Sequence, residues 1–154
     1  MISVGGKTRQ DSVRHGLDDL PDEAAVVLVH DAARPFVDHD TIGRVVAEVR
    51  AGRSAIAALP VIDTLKRVGA AGVIEQTVSR EALWRAQTPQ GFSREVIVRA
   101  HREARARRID ATDDAALCEA LGIPVVVVRG DERAMKITEE GDFARAEALF
   151  AAEP

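Results

Sequence analysis

Four valines in succession, Val125 to Val128, lie between Pro124 and Arg129 and constrain the fold of this chain more than any other stretch. β-Branched residues at consecutive positions make this the strongest strand signal in the chain. The rest of the chain alternates in kind. Residues 25–30, Ala-Val-Val-Leu-Val-His, form a short apolar run with polar flanks, and residues 54–59 read as a further strand stopped by Pro60. Between them Ile42, Val45, Val46 and Val49 recur at helical spacing, with Asp38 or Asp40 available as a cap. Ser93 can cap a helix whose apolar face holds Val96, Ile97, Ala100 and Ala104, and Thr112 or Asp113 a shorter one ending at Gly122. Residues 134–137 read as one more short strand, and Thr138 as the start of a last helix with Phe143, Ala146, Leu149 and Phe150 on one side. At the opposite end, Thr8 and Asp11 have the spacing of a capping box ahead of Val13 and Leu17. Strands alternating with helices predict a three-layer α/β fold with a mainly parallel sheet.

Residues 61–80 break this rhythm. Two extended pieces, 61–68 and 73–78, flank Gly69-Ala70-Ala71-Gly72, the pattern of a hairpin projecting from the sheet. Such an arm is seldom stable alone, so it is expected to pack on a partner subunit.

The length of 154 residues fits one domain, and an apolar share of 46% supplies a core that, with aromatics at 3%, must be built from Val, Leu, Ile and Ala. A formal net charge of −4 gives no overall basic field for nucleic acid. Arg102, Arg105, Arg107 and Arg108 alternate with Ala and Glu on a predicted helix and read as its solvated face. The one cysteine, Cys118, excludes an internal disulfide framework, suits a reducing compartment, and sits among Ala116, Leu117 and Ala120 as a small hydrophobe. No apolar run approaches the roughly 18 residues of a membrane span, and no secretory leader opens the chain; the expectation is a soluble cytoplasmic protein with no membrane or nucleic-acid partner.

Ligands of open α/β sheets bind beyond the carboxyl ends of the strands. That rule selects His30-Asp31-Ala32-Ala33-Arg34-Pro35, Asp63-Thr64-Leu65-Lys66-Arg67, Thr112-Asp113 and Lys136-Ile137-Thr138. A carboxylate, several cations and hydroxyls along one edge suit phosphoryl-type transfer, which depends on positioning and charge neutralisation. Asp31 equally fits a plain loop cap or a partner for Arg34, Lys136 alone a solvated lysine, and His30 a hydrogen-bonded structural residue. No His/Cys cluster has metal-ligand spacing, so no protein metal site is expected.

Read in order, these blocks also resemble the methylerythritol phosphate cytidylyltransferase family of the non-mevalonate isoprenoid pathway. The matching residues are Gly5-Gly6 through Arg9-Gln10-Asp11-Ser12-Val13 with Gly16-Leu17, the His30 to Pro35 block, and Pro60 through Asp63-Thr64-Leu65-Lys66. Then come Thr77-Val78-Ser79-Arg80 with Leu83-Trp84, Ala86-Gln87-Thr88-Pro89-Gln90-Gly91-Phe92, Thr112-Asp113-Asp114-Ala115 and Met135-Lys136-Ile137-Thr138. The resemblance implies a Rossmann-like nucleotidyltransferase sheet with a projecting β-arm, and transfer of CMP from CTP to 2-C-methyl-D-erythritol 4-phosphate with Mg²⁺. Carried over, Asp31, Arg34 and Lys136 would be catalytic, Thr112 and Thr88 would contact the polyol phosphate, and Gly6 and Ser12 would contact the cytidine side. Thr64 and Arg80 would reach the neighbouring subunit's site in a homodimer joined through residues 61–80, and Trp84 with the Thr88-Pro89-Gln90 turn would frame that arm.

One departure stands out. The family begins with a strand and a glycine-rich loop whose Arg and Lys grip the triphosphate, and nothing in these residues matches it. The expectation is an amino-terminally incomplete copy, 1–154, with weakened CTP binding and an unpaired sheet edge. The alternatives are a cytidylyltransferase for another polyol phosphate such as ribitol 5-phosphate, and a non-catalytic dimerising remnant.

Overall fold

A computed structural model describes residues 2–151, without the side chain of Phe150. In chain order the elements are α1 (Arg9–Asp18), β1 (Val26–Val29), α2 (His39–Arg50), β2 (Ser54–Pro60), β3 (Leu65–Val68), β4 (Ile74–Val78), β5 (Trp84–Ser93), α3 (Arg94–Arg107), α4 (Asp114–Ala120), β6 (Val125–Arg129) and α5 (Glu140–Ala151), with a 3-10 turn at Glu132–Ala134. The local chemistry that starts the helices is as expected. Thr8, Asp38, Ser93 and Asp113 each accept a backbone N–H of the first turn, from Asp11, Thr41, Val96 and Ala116.

The central sheet has the order β1-β5-β2-β6. β2 and β6 pair in parallel, whereas β5 runs antiparallel to both β1 and β2, so β1, β2 and β6 share one direction and β5 opposes it. β1 and β6 are the sheet's two edges. Alternate side chains send the strands' apolar residues to two layers. Val27 and Phe92 join Leu17, Ile97, Ala100, Ala104, Leu117 and Cys118 from α1, α3 and α4 on one face. On the other, Leu28, Ala55, Ala57, Val126 and Val128 pack around Val45 of α2. The sheet is thus covered on both sides, giving the three layers. Cys118 is fully buried, and burial pushes its thiol up to about 11, which removes it as a nucleophile near neutrality.

Gly91 is the point of closest approach between β5 and α2. A Cβ there would stand 2.4 Å from Val45 Cγ1 and 2.9 Å from Val49 Cγ2. Gly91→Ala is therefore expected to cost about 1–3 kcal/mol through overpacking, read as a lower urea midpoint; a change below about 0.5 kcal/mol would mean the layer is looser than this packing.

Two elements differ from the sequence reading. Residues 84–93, expected to include a framework turn at Thr88-Pro89-Gln90, form the longest strand, β5, with a cis Thr88–Pro89 peptide. The β2–β5 register explains how a central strand admits proline. Ile56 faces Gln90 and Ala58 faces Ala86, so Ala57 alone stands opposite Gln87, Thr88 and Pro89. In that bulge Pro89 owes no ladder donor. Residues 134–137, expected as a strand, are not one. The carbonyl of Ala134 is taken by side chains, Arg34 Nη1 at 2.7 Å and Gln87 Nε2 at 3.4 Å, instead of by a neighbouring strand. Pro60 also ends β2 from within it.

The arm is present as β3 and β4, antiparallel and paired only with each other in a separate two-stranded sheet. Gly72, at φ 76°, makes the tip turn by donating to Gly69 O. Ile62, Val68, Val73 and Ile74 on the arm are all more than half exposed.

Candidate functional site

β1 ends at Val29, and the chain turns at once through His30 and Asp31, with Arg34 N–H donating to Asp31 O at 2.9 Å. The bulged strand β5 holds this turn. Thr88, 4% exposed, accepts the Asp31 N–H on Oγ1 at 3.0 Å, and the same hydroxyl meets His30 Nδ1 at 2.9 Å. His30 Nε2 lies 3.0 Å from the Arg34 carbonyl, which only accepts, so Nε2 carries the proton and Nδ1 accepts from Thr88. His30 is thereby a structural residue of the turn, and the Thr88 hydroxyl sets the height of Asp31.

Cations surround the Asp31 carboxylate, itself 18% exposed. Lys136 Nζ is 3.3 Å away, Arg34 Nε 3.5 Å and Arg9 Nε 3.7 Å. Burial alone would raise the Asp31 carboxyl. The hydrogen bond and charge of Lys136, with the charges of Arg9 and Arg34, outweigh it and hold the group below the ordinary carboxylate range. The three cations differ in access: Arg34 is 13% exposed and spends Nη1 on Ala134 O, whereas Arg9 is 35% and Lys136 46% exposed. Arg9 and Lys136 are the cations open to an incoming anion.

Asp31, Arg34 and Lys136, expected together, are brought together over a separation of 105 positions in the chain. Arg9 was not among the expected site residues, although its block was noted. Its signal is an electrostatic oddity: it is the first residue of α1, where the helix dipole disfavours a cation. Such a residue needs carboxylates nearby, and it has two. Besides Asp31, Arg9 Nη1 reaches Asp114 Oδ2 at 2.8 Å, and Asp114 Oδ1 also takes His101 Nε2 at 2.8 Å. Asp114 and His101 are 1% and 3% exposed. Gln90 locks this assembly to the sheet by donating to Asp113 Oδ2 at 2.7 Å and accepting from Asp114 and Ala115 N–H.

Gly6 and Ser12 also meet, the Gly6 N–H donating to Ser12 Oγ at 2.9 Å. A Cβ at Gly6 would fall 2.2 Å from Asp11 Cβ, so the backbone passes close over the start of α1. Thr112 is exposed on the loop before α4. Thr64 precedes β3 and is exposed; Arg80 follows β4 and donates to the Ile62 carbonyl across the base of the arm. No hydrogen bond or ion pair among the described residues joins Thr64, Arg80 or Thr112 to the Asp31 cluster. Among the described residues no helix is long and apolar enough to cross a membrane.

The fold and the cluster can be set beside known proteins. The chain is 53% identical over 150 residues to the bifunctional enzyme IspD/IspF of Rhodospirillum rubrum, covering 97% of this chain and 38% of that protein. It is 46% identical over 149 residues to the 2-C-methyl-D-erythritol 4-phosphate cytidylyltransferase of Desulforamulus reducens, covering 97% of this chain and 64% of the relative. The chain therefore spans between about two-fifths and two-thirds of the length of these relatives. Its structure superposes on the crystal structure of 2-C-methyl-D-erythritol 4-phosphate cytidylyltransferase from Thermus thermophilus with a TM-score of 0.89 at 42% identity, over 96% of this chain and 71% of that one. The family model for 2-C-methyl-D-erythritol 4-phosphate cytidylyltransferase matches residues 1–152, and this chain belongs to that family.

Proposed function

We propose that the protein carrying this chain transfers CMP from CTP to 2-C-methyl-D-erythritol 4-phosphate, releasing pyrophosphate, in the supply of isoprenoid precursors. The observation that carries this reading is the cluster beyond β1: one carboxylate, Asp31, holding Lys136, Arg34 and Arg9 within 3.7 Å. In the reaction a phosphate oxygen of the polyol phosphate forms a bond to the α-phosphorus of CTP. The bond from that phosphorus to the bridging oxygen breaks, and its electron pair leaves with pyrophosphate. Both reactants are anions, so bringing them together and stabilising the charge between them is the main task. Lys136 and Arg9 face the phosphates, Arg34 braces the turn, and Asp31 aims the cations.

Mg²⁺ accompanies CTP in this reading. Among the described residues no group of three His, Cys, Asp or Glu side chains could cage a metal. A lone carboxylate suits an ion that keeps water and triphosphate oxygens as most of its ligands. Both Asp31 oxygens are engaged by cations, so Asp31 would meet such an ion through its water, and the ion when bound would neutralise phosphate charge.

Gly6 and Ser12 are assigned to the cytidine side, Thr112 and Lys136 to the polyol phosphate, and Thr88 to the support of Asp31 beside it. Thr64 and Arg80 are assigned to the site of a second copy of the chain. The support for a homodimer is the arm itself: its apolar residues Ile62, Val68, Val73 and Ile74 are 51–68% exposed, a surface that another subunit would cover. A free, buried Cys118 agrees with the cytoplasm as the compartment.

Subunit mixing tests this assignment. Arg80→Ala and Asp31→Ala homodimers should each be nearly inactive, while heterodimers made by co-expression should recover up to about half of the parent dimer's activity, because one of the two sites keeps both residues intact. Heterodimers as inactive as the parents would show that the arm does not complete a neighbour's site.

A further inference from the structure

Gln87 is 6% exposed, and a buried primary amide carries two N–H groups and an oxygen that each want a partner. Its Nε2 donates to Asp131 O at 2.8 Å and to Ala134 O at 3.4 Å, the carbonyls at the two ends of the 3-10 turn. Ala134 O also receives Arg34 Nη1, and three positions further Ile137 N–H donates to Ala33 O at 2.8 Å. Lys136 thus lies between two pinned backbone points, one held by β5 and one by the Asp31 turn. The Arg85–Glu132 pair on the same turn is more than half exposed on both sides and holds little by comparison.

The other end of the amide is as informative. Gln87 Oε1 is buried with no hydrogen-bond partner, a costly arrangement. It faces Gly130, where a Cβ would stand 2.0 Å from Oε1. An apolar side chain of similar length would fill this space without stranding an oxygen, but could not hold two carbonyls. The amide is therefore oriented by what it donates, and Gly130 leaves room for it.

We propose that Gln87, accommodated by Gly130, is the positioning residue for Lys136: it acts through the 131–134 turn to set the lysine against Asp31 and touches no substrate itself. This rests on the reading of Lys136 and Asp31 as part of the transfer site.

Two variants reach the same amide from opposite sides. Gln87→Met removes the donors and keeps the length, while Gly130→Ala leaves Gln87 intact and displaces its amide. Each is made in the full-length protein and checked for cooperative unfolding. The first readout does not depend on activity: acetylation of Lys136 by acetic anhydride, followed by mass spectrometry against Lys7 as internal reference. In the parent protein Lys136, engaged with Asp31, should react more slowly than the exposed Lys7. Both variants should bring its rate up by about threefold or more as that contact loosens. The second readout is a double-mutant cycle. Gln87→Met should lower kcat/KM for the polyol phosphate by about ten- to a hundredfold, yet by less than about twofold in a Lys136→Ala background, where there is no lysine left to position. Unchanged Lys136 acetylation in the folded variants, or equal losses in both backgrounds, would overturn the proposal. Should Gln87→Met not fold, Gly130→Ala decides by the same two readouts. A parent protein that transfers no CMP would remove the functional reading, and the acetylation result would still decide whether Gln87 positions Lys136.

Discussion

Asp31→Ala is expected to lower turnover by about two to three orders of magnitude while leaving the fold intact. The residue sits on a solvent-reaching turn, 18% exposed, and its backbone hydrogen bond to Thr88 does not involve the side chain. What the substitution removes is the common partner of Lys136, Arg34 and Arg9. Three cations then face one another with no carboxylate between them, and the positions from which Lys136 and Arg9 would meet phosphates in the proposed reaction are lost. The loss should fall on kcat more than on KM, because the arrangement matters most as charge redistributes between the two phosphates. Steady-state kinetics with both substrates measure it, with circular dichroism as the check on folding. Turnover within about threefold of the parent would remove Asp31 from the chemistry.

Asp114→Ala is expected to be the most destabilising single change near the site, by about 3 kcal/mol or more. Asp114 is 1% exposed and takes Arg9 on one oxygen and His101 on the other. His101 is also buried, and its Nδ1 already lacks a partner, so the substitution strands both ring nitrogens. Asp114→Asn keeps one acceptor and should fall between the two. Urea denaturation measures the difference. A loss below about 1 kcal/mol would mean that the pair relaxes onto water and is not structurally required. Activity should fall as well, because the same carboxylate holds Arg9 where it reaches Asp31.

These two residues also show what could be read from the chain alone. The Asp31 turn was legible because it follows an apolar strand, where α/β sheets bind ligands, with Arg34 three residues on in the same turn; Lys136 was expected at the end of a strand that the structure does not form. The helix starts at Thr8, Asp38, Ser93 and Asp113 were legible for a local reason, since each cap bonds a backbone group within its own first turn. β6 was legible from its valines. β5 was not: Gln87, Thr88, Pro89 and Gln90 look like a turn until their partners are known, and those partners lie on the 131–134 turn, the Asp31 turn and the start of α4. Long-range hydrogen bonds leave no periodicity behind. Residues 134–137 failed for the converse reason, an apolar pattern whose backbone bonds go to the Arg34 and Gln87 side chains and to two turn carbonyls in place of a ladder. Arg9 fell between: its place in the first turn of α1 is visible in the sequence, and its two carboxylates are visible only in the fold.

In the proposed function this cluster serves CMP transfer to methylerythritol phosphate. The direct measurement is pyrophosphate release with CTP and Mg²⁺, comparing 2-C-methyl-D-erythritol 4-phosphate with ribitol 5-phosphate as acceptor. It is made on this chain and on a form extended at its amino terminus to the length of its relatives. Release is expected in the extended form, where it should require methylerythritol phosphate, collapse in Lys136→Ala, and be at most weak with ribitol phosphate. Release that prefers ribitol phosphate, or none from a folded extended protein, would contradict the proposed function.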